Sequence, residues 1–378
     1  MQSRSLMPLL FFCFLQFCLA CPVQATTAVP LEQKIGRLLL LGFRGQSLTE
    51  NPQLEKDLRR GRLGGVVLFD TDVALHSDRR NIASPRQVHH LISELCAASA
   101  LPLLVAVDQE GGKVARLKPK HGFAPTRSAM ELGQQNDLAL TAAATGQLAA
   151  TLAEVGVNLN LAFVVLRTNP DNPVIAAYQR CFSDTPKQVV QQAGSYICAH
   201  RRQGVLTALK HFPGHGSSRD DSHQGFTDIS TSWDQREMTT FRRLIDAGLV
   251  DSIMTAHVFN RQLDPHYPAT LSPAIINGLL RQQLGYQGVV ISDDLQMRAI
   301  SDNYSFTEAI FQTLRAGVDI LLFGNNLSYD PQLVQHIQST IQKLVKSGEI
   351  SETRIDRSYQ RITNMLQSLE TEKNRNCN

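Results

Sequence analysis

Eight short apolar runs, each closing on a polar or otherwise chemically useful residue, recur along the chain: LLLLGF (38–43), VVLF (66–69), LLVAVD (103–108), VNLNLAF (157–163), LTALKHF (206–212), SIMTAHV (252–258), VVISDD (289–294) and ILLFG (320–324). Their hydrophobicity is continuous and not alternating, which suits strands buried on both faces and therefore a parallel sheet. Helix starts lie between them. Ser84-Pro85, Thr185-Pro186 and Ser272-Pro273 each place a capping hydroxyl before a proline at the first helical position. Ser305-Phe-Thr-Glu308 reads as a capping box. Gly204, Gly285 and Gly317 follow apolar-periodic segments, where a left-handed C-terminal cap needs them.

Eight βα units over about 290 residues predict an α/β fold, a single (β/α)8 TIM-type barrel. A doubly wound open sheet is the main competitor, weakened because no Gly-x-Gly-x-x-Gly follows an early strand. Residues 331–370 read as two helices broken near Ser347-Gly348, packed outside the barrel. The catalytic domain is expected to span 26–378, with no second domain.

Residues 1–25 read as an export signal, with Arg4, an apolar stretch from about Leu6 to Ala20, and Val23 and Ala25 in an A-x-A-like relation. That stretch is short for a bilayer span of roughly 20 residues, which favours cleavage over retention as an N-terminal anchor. Cys21 hints at a lipoprotein site, but Cys18 stands where such a site has an aliphatic residue, so cleavage after Ala25 is preferred. A periplasmic or secreted location follows, with no membrane span once the leader is removed. The formal charge of +3, without a dense basic cluster, gives nucleic acid no support as a partner. Beyond the leader, Cys96, Cys181, Cys198 and Cys377 show no C-x-x-C spacing. Export permits a bridge such as Cys181–Cys198, although buried thiols are the expectation for a chain with a large core.

In a barrel of this kind the chemistry sits at the C-terminal ends of the strands. There the runs end in Asp108, Lys210, His211, His257, Asp293 and Asp294. Any one of these could merely cap the next helix; four strands ending this way argue for a site. The segment KHFPGHGSSRDDSHQG (210–225) admits several readings. His211, His215 and His223 could offer a metal three nitrogens, but His211 and His215 straddle Phe-Pro-Gly and share no helix face. Lys210 could form a Schiff base, though no phosphate site accompanies it. The third reading is proton transfer: Asp221 two residues before His223 can hold one ring nitrogen and aim the other, and an imidazole titrates near pH 6.5. Asp293 at another strand end supplies a carboxylate able to attack an anomeric carbon, with His223 in place of the usual second carboxylic acid.

With VDQEGGKVARL (107–117), NPDNPVIAAYQRCFSDTP (169–186), KHFPGHG…DSH (210–223) and ISDDLQM (291–297) in order, the sequence resembles the β-N-acetylglucosaminidases (β-N-acetylhexosaminidases) of glycoside hydrolase family 3, over roughly residues 31–365. The resemblance implies Asp293 as nucleophile, His223 as acid/base with Asp221 as its partner, and Asp108, Arg116, Arg180, Lys210 and His211 as sugar-binding positions. It makes Lys210 a hydroxyl donor, Asp294 structural and His215 a loop-shaping residue. It implies a retaining exo-enzyme, monomeric, without metal or cofactor, removing terminal β-linked N-acetylhexosamine from peptidoglycan fragments or chitooligosaccharides. A phosphorylase, or a non-catalytic cell-wall sugar-binding protein, are the alternatives. Phe163 and Leu166 depart from the family's usual proline and aspartate, which puts fine specificity in doubt, and RCF stands where RSF is common.

Overall fold

Eight parallel strands occupy the eight expected runs. In chain order they are β1 (Leu39–Gly42), β2 (Gly65–Leu68), β3 (Leu104–Val107), β4 (Leu159–Asn160), β5 (Leu206–Phe212), β6 (Ser252–Thr255), β7 (Val289–Ile291) and β8 (Leu321–Phe323). The computed structural model describes residues 29–162 and 169–372, with side chains as far as residue 369. Neighbouring strands pair in the order β8-β1-β2-β3-β4-β5-β6-β7, every pair parallel. A single parallel bridge, Ile291 to Ile320, joins the two ends and closes the barrel. All eight strands are buried along their whole length, as continuous apolar runs require of a sheet covered on both faces.

Helices cover the outside, and their starts follow the local chemistry. Helix Pro85–Ala98 begins where Ser84 Oγ accepts the Gln87 N–H at 3.2 Å, a cap worth about 1 kcal/mol. Helix Phe306–Ala316 begins in the same way, Ser305 Oγ accepting the Glu308 N–H at 3.3 Å, and ends on Gly317 at φ 108°. Helix Pro186–Arg202 starts after Thr185 without a side-chain cap. Helices Leu333–Lys346 and Glu352–Glu372 flank the predicted break. Helix Leu138–Val155 is long and apolar enough to cross a membrane by composition alone, but it packs against helix Pro186–Arg202 in the outer ring, where Thr141 donates to Gln192.

Two elements differ from expectation. The segment after Ser272-Pro273 winds as a π-helix, Ala274–Gln283, and the Leu284 N–H closes an i→i−5 bond on the Leu279 carbonyl at 2.9 Å. This wider winding brings the Arg281 guanidinium onto Asp319, at 2.6 Å, and onto the Tyr286 carbonyl, at 3.1 Å. A small second sheet pairs Thr227–Asp228 with Val258–Phe259 above the barrel mouth. The cysteine expectation also changes. The buried Cys181 Sγ donates to the Ser183 carbonyl at 3.1 Å, so no Cys181–Cys198 bridge forms; Cys198 is disulfide-bonded, and Cys96 lies exposed on the outer face of its helix. The leader, Cys377, and the departures at Phe163 and Leu166 lie outside the described residues.

Candidate active site

The C-terminal strand ends converge on one pocket of about 380 Å³. Its walls include Asp108, Arg116, Arg180, Lys210, His211, Asp221, His223 and Asp293, so every site residue expected from the sequence faces the same space. Asp108 follows β3, Lys210 and His211 end β5, and Asp293 and Asp294 follow β7. The Lys210–His211 and Phe212–Pro213 peptides are both cis.

The floor is a chain of ion pairs. Arg116 Nη2 reaches Asp108 Oδ2 at 3.3 Å, and Lys210 Nζ reaches Asp108 Oδ1 at 2.7 Å and Glu110 Oε1 at 2.8 Å. Arg180 then closes on Glu110 through Nη2–Oε1 at 2.7 Å and Nε–Oε2 at 2.9 Å. Burial alone would raise both carboxyls; the adjoining Lys210 and Arg116 charges hold Asp108 well below the usual carboxylate range, and Arg180 and Lys210 lower Glu110. Glu110 escaped the sequence reading. It stands in the DQE of VDQEGG just past a strand end, but its partners lie 70 and 100 positions away.

Three cations, Arg116, Lys210 and Arg180, alternate here with two carboxylates, Asp108 and Glu110, and Asp293 stands close by, so positive and negative groups are nearly matched across the pocket. Such a surface offers paired donors and acceptors to hydroxyls and fits an uncharged sugar better than an ion. His211 sits with Nε2 3.8 Å from Asp293 Oδ2. Burial first, and then the Arg180 and Lys210 charges, depress its pKa far below the ordinary histidine value, so its ring is neutral at neutral pH.

Asp293 and Asp294 diverge in environment. Asp294 is the anchor of its loop: its carboxylate accepts the Gly324 N–H at 2.9 Å and the Gln296 N–H at 3.0 Å, and burial raises its pKa to about 6. Gly324 has to be glycine, since a Cβ there would stand 2.4 Å from Asp294 Oδ2. His257, buried beside this turn, bonds the Asp294 carbonyl through Nε2 at 2.9 Å and Thr270 through Nδ1 at 2.8 Å, so it supports the backbone. Asp293 itself keeps its carboxylate toward the pocket.

The segment 210–225 divides by partner. His215 is buried, bonded through Nδ1 to Ser218 Oγ at 2.7 Å and through Nε2 to Ser222 Oγ at 3.1 Å, and burial lowers its pKa to about 4. A ring with both nitrogens committed shapes the loop. His223 stands on the rim with its side chain 56% exposed, and its Nδ1 meets Asp221 Oδ1 at 2.7 Å. Partial burial works against its cation, but the Asp221 bond and the Asp293 charge prevail, so its pKa is raised. The same bond draws Asp221 down to about 2. The structure thus places an anion-supported imidazole on the rim of the pocket that Asp293 lines, with Asp293 Oδ1 accepting the Asp294 N–H at 2.8 Å.

The sequence signature described as "Glycosyl hydrolase family 3 N terminal domain" matches residues 30–365. A beta-hexosaminidase A of Pseudoalteromonas piscicida is 32% identical over 91% of this chain, and a beta-hexosaminidase of Nitrosomonas eutropha is 33% identical over 89% of this chain and 93% of its own length. The solved structure of a glycoside hydrolase family 3 beta-N-acetylglucosaminidase from Paenibacillus sp. str. FPU-7 superposes with a TM-score of 0.82 at 34% identity, over 92% of this chain. The chain spans 63% of the Pseudoalteromonas protein and 64% of the Paenibacillus chain. Barrel and relatives agree on the class, a glycosidase, and the chain belongs to glycosyl hydrolase family 3.

Proposed function

We propose that the chain is a retaining exo-β-N-acetylhexosaminidase. One observation carries the reading: the Asp221–His223 pair, held at 2.7 Å, lines the same pocket as Asp293. In the first step an Asp293 carboxylate oxygen bonds to the anomeric carbon as the glycosidic C–O bond breaks, and the His223 Nε2 proton passes to the departing oxygen. In the second, His223 Nε2 takes a proton from water, whose oxygen attacks the same carbon and frees Asp293. Lys210, Arg116 and Arg180 donate to sugar hydroxyls, Asp108 accepts from them, and His211 offers a neutral ring beside the reacting carboxylate.

The natural substrates we propose are peptidoglycan fragments or chitooligosaccharides, met outside the inner membrane by a monomer freed of its leader by cleavage after Ala25. The mass of the mature N-terminus tests that placement. For the chemistry, Asp293→Ala should abolish turnover of an aryl N-acetyl-β-glucosaminide, and the first product seen by NMR should be the β anomer; an active Asp293→Ala variant or an α anomer sinks the reading. Phosphorolysis is the second reading, because a histidine acid/base brings no negative charge against phosphate. Sugar 1-phosphate forming in phosphate buffer would select it.

A further inference from the structure

Beyond His223 lies a second pocket, of about 530 Å³, which shares only His223 and Leu327 with the first. It is enclosed by the turn after β7, by the starts of helices Arg298–Ser301 and Phe306–Ala316, and by the loop after β8. Much of its wall is apolar, with Leu295, Ile300, Tyr304, Phe306, Phe323 and Leu327, beside the polar Gln296, Arg298, Ser301 and Ser328. Phe306 and Leu327 are each 40% exposed, an uncommon state for large apolar side chains, and the Phe306 and Phe323 rings lie 5.9 Å apart. The main polar groups on this wall are already engaged. Gln296 accepts from the Asn325 N–H and donates to Ser328, and Arg298 pairs with Asp302 at 3.1 Å.

The oxygen that receives a proton from His223 must lie against its Nε2, since Nδ1 is held by Asp221, and the rest of the leaving group runs on from that oxygen, away from the carbon that Asp293 attacks. His223 also lines the second pocket. Resting on the hexosaminidase reading, we propose that this pocket receives the leaving group, and that the enzyme's substrates extend to N-acetyl-β-hexosaminides of apolar alcohols. The occupant is an alkyl or aryl chain linked through the glycosidic oxygen, with the Tyr304 phenol as the polar tip of the wall. The apolar part of the lining suits such a chain.

The test is a series of alkyl N-acetyl-β-glucosaminides, methyl through hexyl, whose alcohols differ little in acidity beyond the first members, so that chain length is read apart from leaving-group chemistry. For the purified enzyme kcat/KM should rise by up to about fourfold per added methylene until the pocket is filled. Phe306→Asp puts a carboxylate on this wall at the first helical position, where an acidic residue suits the helix; the rise should vanish while the methyl glycoside is cleaved as before. Phe306→Ala should flatten it in part. A flat series in the unaltered enzyme, with the methyl glycoside turned over normally, overturns the proposal and leaves the glycosidase reading intact, as does an equal slope in all three proteins. If no member is cleaved, methyl included, the hexosaminidase reading fails and takes this one with it.

Discussion

At the scale of single residues the acid/base histidine is governed by one neighbour. His223 is half exposed, so solvent screens much of what acts on it, but the Asp221 carboxylate is in direct contact at 2.7 Å. The two shifts agree in sense: histidine up, aspartate down to about 2, as an ion pair requires. Departure of the leaving group needs protonated His223, so kcat/KM should fall as pH rises through a value above 6.5. In Asp221→Asn the anion is lost and this alkaline limb should move to lower pH. An unmoved limb would mean that Asp221 only positions the ring. Residues such as Asp108, Lys210 and Asp293 were legible in the sequence because strand ends announce themselves by a change from apolar to charged. Glu110 was not, although it is the most deeply buried carboxylate of the floor: what distinguishes it is Arg180 and Lys210, and only folding brings these to it.

At the scale of elements the loop carrying His223 hangs from a helix below it. Helix Gln235–Asp246 presents Glu237, 1% exposed, whose Oε2 accepts the Gly216 N–H at 3.0 Å. The fit is close enough that Gly214, at φ 136°, has no room for a Cβ, which would stand 2.4 Å from the same oxygen. Burial raises the Glu237 pKa to about 7 from an ordinary 4.5. The unfolded chain therefore loses this proton near 4.5 while the native one keeps it to about 7: the native state holds its advantage below pH 4.5 and gives it up as pH rises to 7. The change amounts to about 3 kcal/mol at most. Glu237→Gln keeps the shape and the acceptor but not the titration. The Tm of the variant minus that of the parent should grow between pH 5 and 7 and then level off, and parallel curves would exclude the buried carboxyl as the cause. Strands and helix starts could be read in advance because each rests on local signals, a buried run or a hydroxyl before proline. The π winding of Ala274–Gln283 and the two-residue pairing of Thr227–Asp228 with Val258–Phe259 could not, since both depend on partners far along the chain.

At the scale of the whole molecule the barrel has one weak seam, between β7 and β8, where a single bridge takes the place of a strand ladder. The backbone bonds there are few: the Asp319 and Ile320 N–H groups share the Val290 carbonyl at 2.8 and 3.0 Å, the Ser292 N–H reaches the Ile320 carbonyl at 2.9 Å, and the Leu295 N–H reaches the Leu322 carbonyl at 3.0 Å. Asp319, fully buried, supplies the rest. Its Oδ2 accepts from the Val290 N–H at 3.0 Å and from Arg281 at 2.6 Å, and its Oδ1 accepts from Ser358 at 2.5 Å and Arg361 at 3.1 Å. One side chain thus ties β7, the π-helix and the last helix to the start of β8. Asp319→Ala would leave Arg281 buried without its counter-charge, a change that costs roughly 3–5 kcal/mol. Because Asp294 hangs from Gly324 just past β8, loosening the seam also moves the turn that bears Asp293. The urea midpoint should therefore drop by an amount matching that loss, and kcat should fall even under conditions where the variant stays folded. A stability change under about 1 kcal/mol, the size of an exposed pair, would show that the helices alone hold the barrel shut.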